Sequence, residues 1–336
     1  MSNVLSSSER SADSVAGADA AFADRVRERV GQTVVGQEAV VERVLIALLT
    51  GGHLLLEGMP GLAKTLLVNA VAKAVDLQFG RVQFTIDLLP ADILGSEVLD
   101  AKTGNYRTHH GPIFTNLLLA DEINRAAPKV QGALLEAMQE RRVTIGGEVH
   151  PLPTPFLVIA TQNPAEQAGT FELPEAQLDR FMMCHRLGYP TADQEQQVLL
   201  NTLALGLRRD RGAASPKSLY DTLDRPAVAS IEDLRTAMEA VQRVHVSEVF
   251  VSRVVQIVRA MREDPRVDFG ASPRAGISLT QAARARAYLH NRDYVVPDDL
   301  FALAEDVLLH RMRLSYAARA EGHTPVGVLN ELLAGV

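Results

Sequence analysis

The octapeptide Gly58-Met-Pro-Gly-Leu-Ala-Lys-Thr65 holds the residue types that can grip a phosphate. It follows the apolar run Leu54–Leu56 and opens a helical pattern over Lys64–Val75, the context in which the phosphate-loop template G-x-x-x-x-G-K-[ST] has chemical meaning. Gly58, Lys64 and Thr65 match, and Ala63 stands where the template has its second Gly. A helix start accepts negative φ, so the expectation is that Ala63 need only be small. Backbone N–H groups would then cradle the β-phosphate, Lys64 would reach the β and γ oxygens, and Thr65 would ligate Mg²⁺. The bland alternative is an ordinary turn punctuated by Gly and Pro.

Downstream, Leu117-Leu-Leu-Ala-Asp-Glu122 places two carboxylates after an apolar run. At the C-terminal end of a strand they would face the crevice where open α/β sheets bind ligands. Asp121 would hold Mg²⁺ through water, and Glu122 would orient and deprotonate an attacking water. A solvated Asp-Glu pair at a strand end is common by itself, but its position after a phosphate loop favours the chemical reading.

These residues need a scaffold. Strand candidates are Leu54–Leu56, Val82–Ile86, Asn116–Ala120, Phe156–Thr161 and Phe181–Leu187, with helices at Lys64–Val75 and Lys129–Glu140. Apolar strands alternating with helices predict a parallel sheet covered on both faces. Residues 87–115 break the alternation as an insertion, and Val143–His150 predicts a hairpin around Gly146-Gly147. Residues 1–20, Ser-rich and without an apolar face, predict a disordered tail. Residues 21–207 then form the α/β core, 208–229 a linker, and 230–336 a helical domain with apolar periodicity in Ile231–Val244, Val249–Arg262, Ser278–Asn291 and Pro297–Tyr316.

Composition narrows the remaining classes. The chain has 336 residues, suggesting about two domains. One Cys, Cys184, rules out an intramolecular disulfide and favours a reducing, cytoplasmic setting. No apolar run approaches the roughly 18 residues of a membrane span. The net charge is −7 and aromatic residues are 5% with no Trp, which disfavours a broad nucleic-acid surface.

Gly58–Thr65, Leu117–Arg125, Ala160-Thr-Gln-Asn-Pro164 and Leu173-Pro-Glu-Ala-Gln-Leu-Asp-Arg-Phe181 together resemble the MoxR family of AAA+ ATPases, from about Val35 to Tyr316. The resemblance implies a P-loop αβα sandwich followed by an all-α lid, with the insertion in an early helix. It implies that ATP sits on Gly36, Gln37, Gly58, Pro60, Gly61, Leu62, Ala63, Lys64, Thr65 and Leu66, with Mg²⁺ on Thr65 and Asp121. Asn163 matches sensor 1, which would place the water beside Glu122. Arg180 matches the arginine finger, a cation lent to the next subunit. Arg274 matches sensor 2 in the lid, contacting phosphate from above.

For each residue there is a plainer account: a turn-forming Asn before Pro164, an Arg180 paired with Asp179 or Glu175, an Arg274 in a solvated first turn. Arg125, Arg141 and Arg142 are further cations that could serve at a subunit boundary, and the sequence assigns them no specific role. The resemblance implies a homo-oligomer, a hexameric ring, acting on client proteins with a partner that bears a von Willebrand A domain. Two alternatives stand beside it: a nucleotide-gated regulatory module with slow hydrolysis, and a metal-chelatase or DNA motor of neighbouring AAA+ groups.

Overall fold

The computed structural model describes residues 22–102, 104–164, 169–210 and 213–335, and the expected tail, 1–20, lies outside the described residues. Helices α1 (22–31) and α2 (Glu38–Thr50) lead into β1 (Leu54–Glu57), which the phosphate loop joins to α3 (Lys64–Ala74). β2 (Phe79–Gln83) runs through α4 (Pro90–Leu94) into a hairpin of β3 (Gly95–Leu99) and β4 (Tyr106–His110). β5 (Leu117–Asp121) precedes α5 (Pro128–Glu140), and a second hairpin, β6 (Arg142–Ile145) with β7 (Glu148–Pro151), precedes β8 (Leu157–Gln162). Its turn has φ of 58° at Gly146 and 87° at Gly147, a pair of left-handed positions that suits Gly. Next come α6 (Glu175–Leu178), β9 (Met183–Arg186) and α7 (Ala192–Leu203).

One sheet holds β2, β5, β8, β1 and β9 in that order, every pairing parallel. Alternation of side chains explains why its central strands are apolar throughout. Leu54, Leu56, Leu117, Leu119, Leu157 and Ile159 enter the core on one face, with α2, α3 and the lid. Leu55, Leu118, Ala120, Val158 and Ala160 enter the core on the other, under α5 and the β6–β7 hairpin.

The second strand corrects the expectation of Val82–Ile86. Phe79 pairs with Leu117 and Gln83 with Asp121, while Ile86 lies beyond the strand and is 64% exposed. β2 is an edge strand, so it needs only partial burial, and Arg81 and Gln83 sit within it.

Beyond the core, the stretch expected to be a linker carries a hairpin of β10 (Leu207–Asp210) and β11 (Ala213–Pro216). The lid helices are α8 (Ile231–Arg243), α9 (Glu248–Glu263), α10 (Pro273–Leu289), α11 (Pro297–Leu308), α12 (Tyr316–Ala320) and α13 (Pro325–Ala334). A short ribbon, β12 (Val267–Phe269) with β13 (Arg313–Leu314), ties the ends of this bundle together.

Core and lid share one apolar cluster that runs from α2 and α3 into α8–α11. Charged pairs lace the same boundary. Asp306 of α11 accepts from Arg43 of α2 at 2.5 Å and contacts His185 of β9 at 2.9 Å. Burial opposes ionisation of Asp306, but His185 and Arg43 hold its carboxyl below the usual range. Glu42 of α2 meets Arg286 of α10 at 3.3 Å, and Arg286 continues to Asp299 of α11 at 2.6 Å. Among the described residues, no helix is long and apolar enough to cross a membrane.

Candidate nucleotide site

The loop after β1 turns tightly under the end of β9. A Cβ on Gly58 would lie 3.0 Å from the Leu187 Cβ, so a larger residue would push the two segments apart. The Gly58 N–H donates to the Gln162 carbonyl at 3.2 Å, which fixes the loop to the end of β8.

Ala63 overturns the expectation of negative φ. It caps α3 with φ 54° and ψ 24°, the left-handed region that a Cβ disfavours by about 1–2 kcal/mol. The template Gly thus meets a conformational demand and not merely a limit on size. Ala63→Gly is therefore expected to keep nucleotide affinity and leave the protein as stable or up to about 1 kcal/mol more stable, since relief of strain is partly offset by Gly's freedom in the unfolded chain. Urea unfolding beside nucleotide titration checks this.

Lys64, Thr65, Asp121 and Glu122 converge where the loop, β5 and β8 end, with Thr161 and Asn163 beside them. The Lys64 ammonium donates to the Gly58 carbonyl at 2.6 Å, and burial lowers its pKa against the opposing pull of Asp121 and Glu122. The Thr65 hydroxyl lies 3.4 Å from Asp121 Oδ2. The Thr161 hydroxyl donates to Asp121 Oδ1 at 2.6 Å and accepts from the Glu122 N–H at 2.8 Å. Glu122 itself has φ 58°, a bend that starts a new direction after β5. Asn163 is buried one residue past the end of β8.

Arg81, Gln83 and Thr161 were not singled out in the sequence. Arg81 of β2 reaches Asp121 Oδ2 at 2.8 Å, while Gln83 donates to Glu122 Oε2 at 2.7 Å. Arg125 meets the same Glu122 oxygen at 3.1 Å. Arg81 falls just outside the expected strand Val82–Ile86, and only the sheet order brings β2 beside β5.

The donor set suits Mg²⁺. A buried carboxylate and a hydroxyl are hard oxygen ligands within reach of one cation, and Asp121 already faces the positive charge of Arg81.

Beside the loop is a cavity of about 400 Å³, lined by Val34, Val35, Gln37, Pro60, Gly61, Leu62, Ala63, Leu66 and Tyr189 among others. Its apolar walls suit a base, and all these loop residues belong to the set named from sequence. Gly36 adjoins it just before α2. Gln37 is the buried cap residue of that helix.

Arg180 and Arg274 stand elsewhere. Both line a second cavity of about 600 Å³ with Gly51, Gly52 and His53, at the N-terminal end of β1. The four residues of β1, about 13 Å, separate that end from the phosphate loop. Arg274 therefore does not lie over its own loop, which corrects the expectation of contact from above. The lid docks through α2 and β9, and this carries the start of α10 to the N-terminal end of the strands, opposite the phosphate loop. Asp179 and Glu175 are paired with Arg311 and Arg313, and the Arg180 guanidinium has no such partner among the described residues.

His53 and Cys184 belong to the core. His53 bridges Met138 and Val158 at 3.1 and 3.0 Å, and burial pushes its pKa down to about 4. Burial raises the Cys184 thiol well above its usual value.

A phosphate loop on a five-stranded parallel sheet, backed by a helical lid, defines a P-loop ATPase of the AAA+ class. The profile of the ATPase family associated with various cellular activities (AAA) matches residues 53–183, and that of the AAA lid domain matches 259–332. Chaperone MoxR1 of Mycobacterium tuberculosis is 42% identical over 93% of this chain and 81% of its own. The uncharacterized protein YeaC of Bacillus subtilis is 43% identical over 92% of each. A crystal structure from Cytophaga hutchinsonii superposes with a TM-score of 0.87 at 41% identity, covering 97% of this chain and 98% of that one. The chain belongs to the MoxR family of AAA+ ATPases.

Proposed function

We propose that this protein is a Mg²⁺-dependent ATPase that converts ATP and water to ADP and phosphate in a ring of identical subunits and uses the cycle to remodel client proteins. The observation that carries the reading is the convergence of Lys64, Thr65, Asp121 and Glu122 at one end of the sheet, with Arg180 and Arg274 at the other. Lys64 binds the β and γ oxygens, and its burial strengthens that contact. Thr65 and Asp121 would hold Mg²⁺, which would supply positive charge against the negative charge developing on the phosphates. Glu122 orients water and takes its proton, and Asn163 fixes the same water from just past β8. Arg180 and Arg274 serve the cradle of the next subunit, because neither reaches its own. A hexamer in the cytoplasm with a von Willebrand A domain partner is the assembly that the family resemblance favours.

The test is phosphate release by the purified protein against Lys64→Ala, which is expected to lose nucleotide affinity at least tenfold and turnover with it. Equal turnover by the two proteins would refute the ATPase reading.

A second reading, a nucleotide-gated module with slow hydrolysis, draws on one observation: Arg81, Gln83 and Arg125 engage both acidic residues. In the first reading the same contacts are displaced when nucleotide and Mg²⁺ bind. Arg81→Ala is then expected to lower the Mg²⁺ concentration for half-maximal turnover severalfold, because a competing cation is gone from Asp121. A Mg²⁺ titration at saturating ATP reads this directly, and an unchanged midpoint would show that Arg81 does not compete.

A further inference from the structure

Arg311 ends the short turn Leu309–Arg311 after α11, and its side chain is 1% exposed. Its guanidinium donates to Asp179 Oδ1 at 2.7 Å, to the Phe181 carbonyl at 2.7 Å, and to the Asp179 and Met182 carbonyls at 3.2 Å each. It also donates to the Val307 carbonyl at 2.5 Å. Three of these carbonyls flank Arg180 in the chain. The other side of Asp179 accepts from the Ser272 hydroxyl at 2.9 Å, and Ser272 caps α10 by accepting the Arg274 N–H at 3.1 Å. Arg274 Nη1 then lies 3.9 Å from Asp179 Oδ2. One buried cation thus joins the Arg180 segment of the core to the Arg274 turn of the lid.

Stability alone is a weak reason for this arrangement. A buried ion pair is often matched by well-packed apolar side chains of similar volume. Only a planar fork with five donors can satisfy one carboxylate and several carbonyls together, and Lys lacks that geometry. We propose that Arg311 is a positioning residue for hydrolysis in the neighbouring subunit, presenting Arg180 and Arg274 as one preassembled pair. The inference rests on the reading that this pair serves the next copy of the chain.

Subunit mixing tests it. Arg311→Met and Arg311→Lys are each expected to lower kcat at least tenfold while nucleotide Kd and oligomer mass stay within twofold of wild type. Co-purified in mixed assemblies with Glu122→Gln, each should recover at least threefold over the sum of the two proteins alone, because the Glu122→Gln neighbour lends an intact pair to an intact cradle. The Arg180→Ala and Glu122→Gln mixture is the control.

If the control recovers and the Arg311 mixtures do not, Arg311 does not act through the pair and the proposal is overturned, while the reading in trans stands. If the control also fails to recover, the reading in trans fails and the proposal falls with it. Full turnover by Arg311→Lys would equally overturn the role of the fork. Should Arg311→Met fail to fold, Arg311→Lys and Asp179→Asn carry the same comparison, the latter with the same expected loss and recovery.

Discussion

Glu122→Gln is expected to lower ATP turnover by about 10²–10⁴-fold while nucleotide binding survives. The substitution keeps the size of the side chain and its acceptor for Gln83 and Arg125, so the bend after β5 should persist. The bond to the Thr161 hydroxyl is donated by the backbone N–H of Glu122 and is untouched. What disappears is the ability to take a proton from water. Single-site phosphate release and fluorescent-nucleotide titration separate the two effects, and turnover within tenfold of wild type would remove Glu122 from the role of base. The same variant, held in its ATP state, is the one to use for capturing a client or a von Willebrand A domain partner.

Arg180→Ala is expected to reduce turnover by about 10³-fold or more, the scale of a lost arginine finger. Its effect on nucleotide affinity should be small, since Arg180 lies beyond the N-terminal end of β1 and far from its own phosphate loop. The side chain is half-buried and lacks an ion-pair partner among the described residues, so folding should be little affected. Measured kcat and Kd therefore diverge for this variant, whereas in Lys64→Ala they move together. Turnover near wild type would show that another cation supplies the charge.

Much of the nucleotide site was legible because its parts are local in sequence. A strand, a Gly-rich turn and a helix follow one another from Leu54 to Ala74, and Asp121 and Glu122 close a strand of their own. Arg81, Gln83 and Thr161 were not legible, because they meet those carboxylates only across β2 and β8, whose places beside β5 come from sheet order. The conformation at Ala63 departs from expectation for a related reason: residue type constrains φ but does not state it, and the helix start at this loop is left-handed. Arg274 was recognisable as a residue, but its location depends on how α2 and β9 dock the lid. Long-range placement, more than local pattern, is what a single sequence leaves open.

The two-ended layout of the sheet also bears on how activity scales. With a cradle at one end of the strands and the arginine pair at the other, the proposed ring would complete each site by joining unlike surfaces, and its contacts would propagate head to tail. An open row of such subunits always leaves one cradle without its cation and one pair idle, and only closure uses all of them. In the proposed ring, specific activity would depend on protein concentration as well as on sequence, and dilution would switch the enzyme off without altering a single fold.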